Sequence, residues 1–294
     1  MTQGVFVGLS TIDIVYSVDE FSSGNVKITA NTQDVFVSGP ATNASIAFAS
    51  LGGRASLVTA VGCHSLTHVI KDELKLNAIQ LVDLNPAFDS VPVISSVSVD
   101  RGGNRNVVSA NGTRIVTPPA AIDTSLLEQA GIVLVDGHYM QACQAWAKAM
   151  RDRKNPVVFD GGSWKDGTDE LLKDVSIAIC SADFRPPGCA SKDDVIQSLR
   201  NSGVANIAIT DGAEPIHFLS GSSSGTLRIP EVEVVDTMGA GDVFHGAFCF
   251  FALNGRGFVE ALAEAAAIAA ESCRFHGTRE WAKAQRTTNP APTA

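Results

Sequence analysis

The stretch Val234-Val235-Asp236-Thr237-Met238-Gly239-Ala240-Gly241-Asp242-Val243-Phe244-His245-Gly246-Ala247-Phe248 sets small residues between an extended apolar segment and a helix-periodic one. Small residues at 239–241 let the backbone come close to a ligand. A helix starting there presents amide N–H groups without internal partners, and its aligned peptide dipoles add partial positive charge, so the turn suits an anion. Asp242 points a carboxylate into the same space, where it can take a proton from a hydroxyl. The chemistry this implies is phosphoryl transfer to an alcohol, with charge building up at the turn. On these residues alone Asp242 also reads as a helix cap and the glycines as an ordinary turn.

Other side chains offer contacts of the same kind. Arg105 follows a Gly102-Gly103-Asn104 turn, and its planar guanidinium suits an anionic or hydroxyl-rich group, although an arginine at a hairpin also reads as solvated. His138 lies just past the apolar run 132–135, at a strand end where ligands of α/β proteins gather. His245 stands one helical turn beyond Asp242 and reads either as a phosphate-side residue or as a packed one. His64 and His68 have the four-residue spacing of a two-histidine metal face, but no third ligand accompanies them. The cysteines, Cys63, Cys143, Cys180, Cys189, Cys249 and Cys273, are widely spaced and read as reduced thiols.

These residues need a frame. Short β-branched runs at 5–7, 55–61, 132–135, 157–160, 176–180 and 207–210 predict buried strands. Helical patterns fill 42–51, 66–76, 141–151, 192–201, 242–253 and 258–273 between them. The alternation predicts an α/β fold with a mainly parallel sheet. Segments 12–37 and 91–108 instead alternate apolar and polar residues, which predicts antiparallel strands outside the main sheet, placed as a lid over its carboxyl edge. One domain over 1–286 is expected, with a Pro/Ala/Thr-rich tail, 287–294, left disordered.

Composition narrows the partners. A net charge of −9 without a basic cluster argues against nucleic acid. No apolar run is long enough for a membrane span, and the N-terminus has no export pattern, so a cytoplasmic location is expected. Apolar surface on the lid strands points to a homodimer through the lid.

The run D-T-M-G-A-G-D-x-F-x-G-A-F resembles the C-terminal signature of the ribokinase-like (PfkB) carbohydrate kinases. That resemblance implies a three-layer α/β/α domain with a small antiparallel β lid, ATP and Mg2+ as cofactors, and a sugar as acceptor. It implies Asp242 as the base, with Gly239, Ala240 and Gly241 forming the anion hole. Asp236 and Thr237 would lie near the phosphates, Asp236 beside a monovalent cation such as K+. Gly8-Leu9-Ser10-Thr11-Ile12-Asp13 is similar to the family's first strand, with Asp13 contacting sugar hydroxyls. Ser38-Gly39-Pro40-Ala41-Thr42-Asn43 is similar to its substrate turn, from which Gly39 and Asn43 carry over. Thr210-Asp211-Gly212 resembles the start of the nucleotide loop, implying Thr210 and Gly212 as contacts, although Pro215 replaces the last glycine. Gly277, in Ser272-Cys273-Arg274-Phe275-His276-Gly277, matches the segment that closes over the adenine.

The chain departs from the family in two places. Ser181-Ala182-Asp183-Phe184 replaces the N-x-x-E motif that organises magnesium. Asp160-Gly161-Gly162-Ser163-Trp164-Lys165 replaces D-x-N-x-R, with Lys165 supplying positive charge near ATP. Both departures, with Gly103-Asn104-Arg105 and Asp242-Val243-Phe244-His245-Gly246-Ala247, look closer to ketohexokinases and sulfofructose kinases, implying a ketose. A sugar phosphate or nucleoside as acceptor, or a binding protein on a kinase scaffold, stands as the alternative.

Overall fold

A computed structural model describes residues 3–21, 23–110, 112, 115–118 and 122–288. The chain opens with β1 (Gln3–Val7), then the pair β2 (Thr11–Ser17) and β3 (Thr32–Ser38), and returns through α1 (Pro40–Ser50), β4 (Arg54–Thr59), α2 (Thr67–Leu76) and β5 (Gln80–Asp83). A second pair, β6 (Ile94–Val99) and β7 (Arg105–Ser109), precedes α3 (Thr124–Gln129), β8 (Ala130–Val135), α4 (Met140–Asp152), β9 (Val157–Gly161) and α5 (Thr168–Leu172). Then follow β10 (Ile177–Ser181), α6 (Lys192–Asn201), β11 (Asn206–Asp211), β12 (Glu214–Ser220), β13 (Ser223–Leu227), α7 (Ala240–Leu253), α8 (Phe258–Ser272) and α9 (Glu280–Thr288). Among the described residues, no helix is long and apolar enough to cross a membrane.

The main sheet has nine strands among the described residues, in the order β13-β12-β11-β10-β9-β8-β1-β4-β5. From β11 to β5 every pairing is parallel, and β12 and β13 add an antiparallel edge. Both faces are covered, which explains the unbroken apolar strands. Val5, Val7, Val133, Val135 and Phe159 pack with Trp146, Leu171 and Leu199 on one side. Phe6, Ile132, Leu134 and Val158 pack with Phe48, Leu74, Phe248 and Leu262 on the other. Successive strand residues point to opposite faces, so a run with every residue apolar belongs between two helical layers.

The second sheet runs β3-β2-β6-β7. Both hairpin pairs are antiparallel as expected, and they join through a parallel β2–β6 contact, with Asp13 opposite Ser95. Parallel pairing is possible here because a long excursion through β4 and β5 separates β2 from β6. The Gly102-Gly103-Asn104 turn is held by Asp100, which accepts from the amides of Gly102 and Asn104 and from the Asn104 side chain.

Two contacts fix the geometry at the carboxyl edge. Asp136, buried after β8, accepts from the amides of Leu9 at 2.8 Å, Ala41 at 3.3 Å and His138 at 2.9 Å, which ties the ends of β1, α1 and β8 together. Helix α7 lies against α1 through Gly246, where a Cβ would stand 2.2 Å from the carbonyl oxygen of Ala44. Helix α9 runs to Thr288, the first two residues of the 287–294 tail included, and is fastened near its start where Trp281 and Ala282 pack against Ala47 and Val243. Positions 289–294 lie outside the described residues.

Since that approach leaves no room for a larger side chain, Gly246→Val should overpack the α1–α7 contact. We expect a loss of about 1–3 kcal/mol in urea unfolding. A midpoint equal to that of the unmodified chain would contradict the packing.

Candidate active site

Helix α7 begins at Ala240, with Gly239 as its cap in a left-handed conformation, φ 72°. A Cβ at Gly239 would also lie 2.9 Å from Cγ2 of Thr278, so glycine answers both the backbone and the space. The Val243 amide closes the first helical bond on Gly239 and the Ala240 amide turns back to Thr237, which leaves the amides of Gly241 and Asp242 without intrahelical partners. The turn 239–241 therefore has the donors and dipole of an anion site.

Asp242 keeps some surface and is otherwise packed in protein. Burial, and next the charge of Asp160, push its carboxyl up to about 7, against the opposing pull of a hydrogen bond from Asn43 and the nearby His245. That bond runs from Asn43 Nδ2 to Asp242 Oδ2 at 2.7 Å. Burial also raises Asp160, which lies 3.6 Å from Nε2 of the buried His245. His245 itself is a packed residue: Nδ1 meets the carbonyl of Gly241 at 2.7 Å and Nε2 that of Ile179 at 3.1 Å, anchoring α7 to β10.

A cavity of about 620 Å³ opens beside the turn, with Thr210, Gly212, Thr237, Ala240, Gly241 and Phe244 among its lining. Its far wall is built from the small residues Ala266, Ala269 and Ala270 of α8. Gly212, at φ 56°, makes the tight turn between β11 and β12, so the strand resumes at Glu214 and Pro215 sits inside it rather than in a glycine loop.

On the other side stand the residues expected to meet an acceptor. Gly39 caps α1 at φ 106°, where a Cβ would lie 2.3 Å from the Leu9 carbonyl oxygen. Asp13 projects from β2 and accepts from Thr11 Oγ1 at 2.8 Å. Asn43 is buried and committed to protein partners: Nδ2 to Ser38 and Asp242, Oδ1 to Arg279. Lys165 Nζ donates to the carbonyls of Asp136 and Ser163. His138 is held down mainly by burial, then by Lys165, against Asp136 and Asp160, so its ring is neutral near pH 7.

Arg105 and Asp236 meet one another across the site. Arg105 reaches from β7 across to the phosphate-side turn, donating to Thr237 Oγ1 at 2.8 Å and Asp236 Oδ1 at 3.2 Å. Asp236 also accepts from the amides of Met238 and Gly277, so its carboxylate faces a guanidinium and two backbone donors. Gly277, at φ 66°, packs on the lid instead of the cavity: a Cβ there would stand 2.6 Å from the Phe36 ring. His64 lies before α2 and receives the Leu66 amide, so the histidine pair is not a metal face. Among the described residues, no group of three His, Cys, Asp or Glu side chains could hold a metal.

The model of the pfkB family of carbohydrate kinases matches residues 1–284. The chain belongs to this family. It is thus a sugar or nucleoside kinase, a phosphotransferase acting on an alcohol. Similar relatives include the ribokinase of Haemophilus influenzae, 21% identical over 93% of this chain and 92% of the relative. The aminoimidazole riboside kinase of Salmonella typhimurium is 25% identical over 72% of each chain. The structure of Arabidopsis thaliana ribokinase complexed with ribose and ATP is 21% identical, superposes with a TM-score of 0.78 and covers 97% of this chain and 98% of that one. The fold is accordingly ribokinase-like, with the small sheet as the lid.

Asp136 and Arg279 belong to the kinase's site but were not singled out from its sequence. Asp136 ends a predicted strand, a position that could have drawn notice. Arg279 had no local signal, since its partners Glu73, Asn43 and Val37 lie more than 200 residues away.

The raised carboxyl of Asp242 makes the kinase's stability depend on pH. The folded state holds the proton up to about pH 7 while the unfolded state releases it near 3.8, the ordinary value for aspartate, so stability falls as pH rises through that window. Asp242→Asn, still able to accept from Asn43, should therefore melt higher than the unmodified kinase at pH 8, with the gap narrowing as pH falls from about 7 towards 4. Calorimetry showing equal melting at pH 8 would refute a buried, raised carboxyl.

Proposed function

We propose that the kinase transfers the γ-phosphoryl group of ATP to a hydroxyl of a small ketose. The observation that carries this reading is the position of Asp242 in the first turn of α7, next to amides without intrahelical partners and directly after Ala240 and Gly241, which line the cavity. The base and the anion hole thus share one helix end. In this reading the nucleotide occupies the cavity, its phosphates reach the 239–241 turn, and the sugar lies under the lid near Asp13 and Gly39. Asp242 takes the hydroxyl proton as the oxygen attacks, and the turn amides meet the charge on the transferring group.

ATP as donor draws support from the Arabidopsis ribokinase complex, and the ketose from the likenesses at Gly103-Asn104-Arg105 and Asp242 to Ala247. Mg2+, when bound, neutralises phosphate charge. The cytoplasm is the compartment this reading implies.

The lid register supports a homodimer formed lid to lid. Across the four strands Val35, Ile14, Ser96 and Val108 form one row on the outer face, and Val35 and Val108 are 53% and 71% exposed. Strand β7 is exposed throughout its length, an edge open to pairing. Val35→Lys with Val108→Lys should convert a dimer to a monomer by light scattering. A monomeric mass for the unmodified chain would overturn this interface.

The deciding assay is ADP release from Mg-ATP at pH 8 across ketoses, aldoses, sugar phosphates and nucleosides. Turnover highest on a ketose, and lowered at least ~10²-fold by Asp242→Asn, is expected. A nucleoside or sugar phosphate as best acceptor overturns the ketose, and an undiminished mutant overturns the base.

A further inference from the structure

We infer that Arg279 is a positioning residue: by pinning the amide of Asn43 in one orientation, it directs Nδ2 of Asn43 onto the carboxylate of Asp242. The inference rests on the reading of Asp242 as the base.

Arg279 stands between Gly277 and α9 with its side chain only 12% exposed. Nη1 donates to Asn43 Oδ1 at 2.9 Å and to the Thr278 carbonyl at 3.1 Å, Nε donates to Glu73 Oε1 at 2.7 Å, and Nη2 donates to the carbonyl of Val37. A guanidinium has five donors and no acceptor, so the end of Asn43 facing it must be the oxygen. With Oδ1 committed, both hydrogens of Nδ2 face the other way, towards Ser38 Oγ at 3.2 Å and Asp242 Oδ2 at 2.7 Å. The two ends of an amide differ little in shape, and a flipped Asn43 would set its oxygen against the carboxylate. Arg279 removes that choice.

An ion pair with Glu73 would by itself only fasten the start of α9 to α2. The bond to Asn43 adds something a fastening does not require, a two-link chain ending on the base. It also reaches the lid, because Val37 belongs to β3 and Ser38 ends it.

The charged groups facing Asp242 are Asp160 from β9, Asp136 from the end of β8, His245 from α7 and Arg279 itself; Arg279 in turn faces Glu73 of α2 and Asp13 of β2. A hydrogen bond donated to a carboxylate favours its ionised form. Loss of the Asn43 donor therefore raises the titration midpoint of Asp242, and less base is ionised at a given pH.

The test follows Asp242 directly, through its side-chain carboxyl 13C signal in the full-length chain, assigned by its loss in Asp242→Asn. Arg279→Gln is expected to move the midpoint up by about one pH unit. Because that change strands Glu73, a second variant, Arg279→Met with Glu73→Met, removes both charges together and should shift the midpoint the same way. In an Asn43→Ala background Arg279→Gln should add clearly less, only what its direct charge on Asp242 supplies. On the acceptor found in the panel, kcat should fall about 10- to 100-fold with KM for ATP unchanged. An unmoved midpoint in both variants, or an equal shift without Asn43, overturns the proposal. Undiminished turnover in Asp242→Asn would instead overturn the base assignment and leave the titration to judge the chain from Arg279.

Discussion

Asp136, Asp160 and Asp242 bring their carboxylates to the carboxyl edge of one sheet, where burial withholds the water that would otherwise stabilise them. Each is answered differently. Asp136 takes three backbone amides and so closes the ends of β1, α1 and β8 on one another. Asp160 has His245 and Lys165 acting on it, and both are fixed by carbonyls of the same strand ends. Asp242 accepts one amide hydrogen of Asn43 and has the turn of α7 beside it. Burial raises the carboxyls of Asp160 and Asp242, the two that lack a set of backbone donors among the described residues.

The lid bears on this edge at several points. Arg105 on Asp236 and Thr237, His276 near Asp34, and Phe36 over Gly277 join its strands to the segments flanking α7 and α8. These contacts are polar and partly exposed, apart from the Phe36 contact. Beneath them the lid is anchored by apolar packing, with Ile12 and Val37 buried in the same cluster as Phe6 and Phe48.

Much of this was legible from period alone. Each predicted parallel strand is present within a residue or two, because β-branched runs such as 132–135 have no other way to bury both faces. The 239–242 turn was legible because glycine and small residues are demanded there by φ and by Thr278. What escaped had weak local pattern. β12 and β13 mix serine and glycine with few apolar residues, and α5 spans one turn. α9 is polar apart from the face carrying Trp281. The roles of Arg105, Asp236 and Asn43 depend on partners 131 to 236 residues distant, and spacing carries no record of such pairings.

The register of the small sheet has a consequence for how such a chain can change. Phe36, Asp13, Ser95 and Ser109 share the row turned to the site, and their immediate neighbours Val35, Ile14, Ser96 and Val108 share the row turned away. One strand repeat thus serves two surfaces in alternation. Deleting Ile12, the one residue between Asp13 and its anchor at Thr11, would exchange the two sets, drawing the aspartate into the buried place against Val37 and Ile94 and turning Ile14 into the row of Phe36 and Ser95. Inheritance can therefore adjust either surface by substitution, letter by letter, but tolerates no change in the length of this strand.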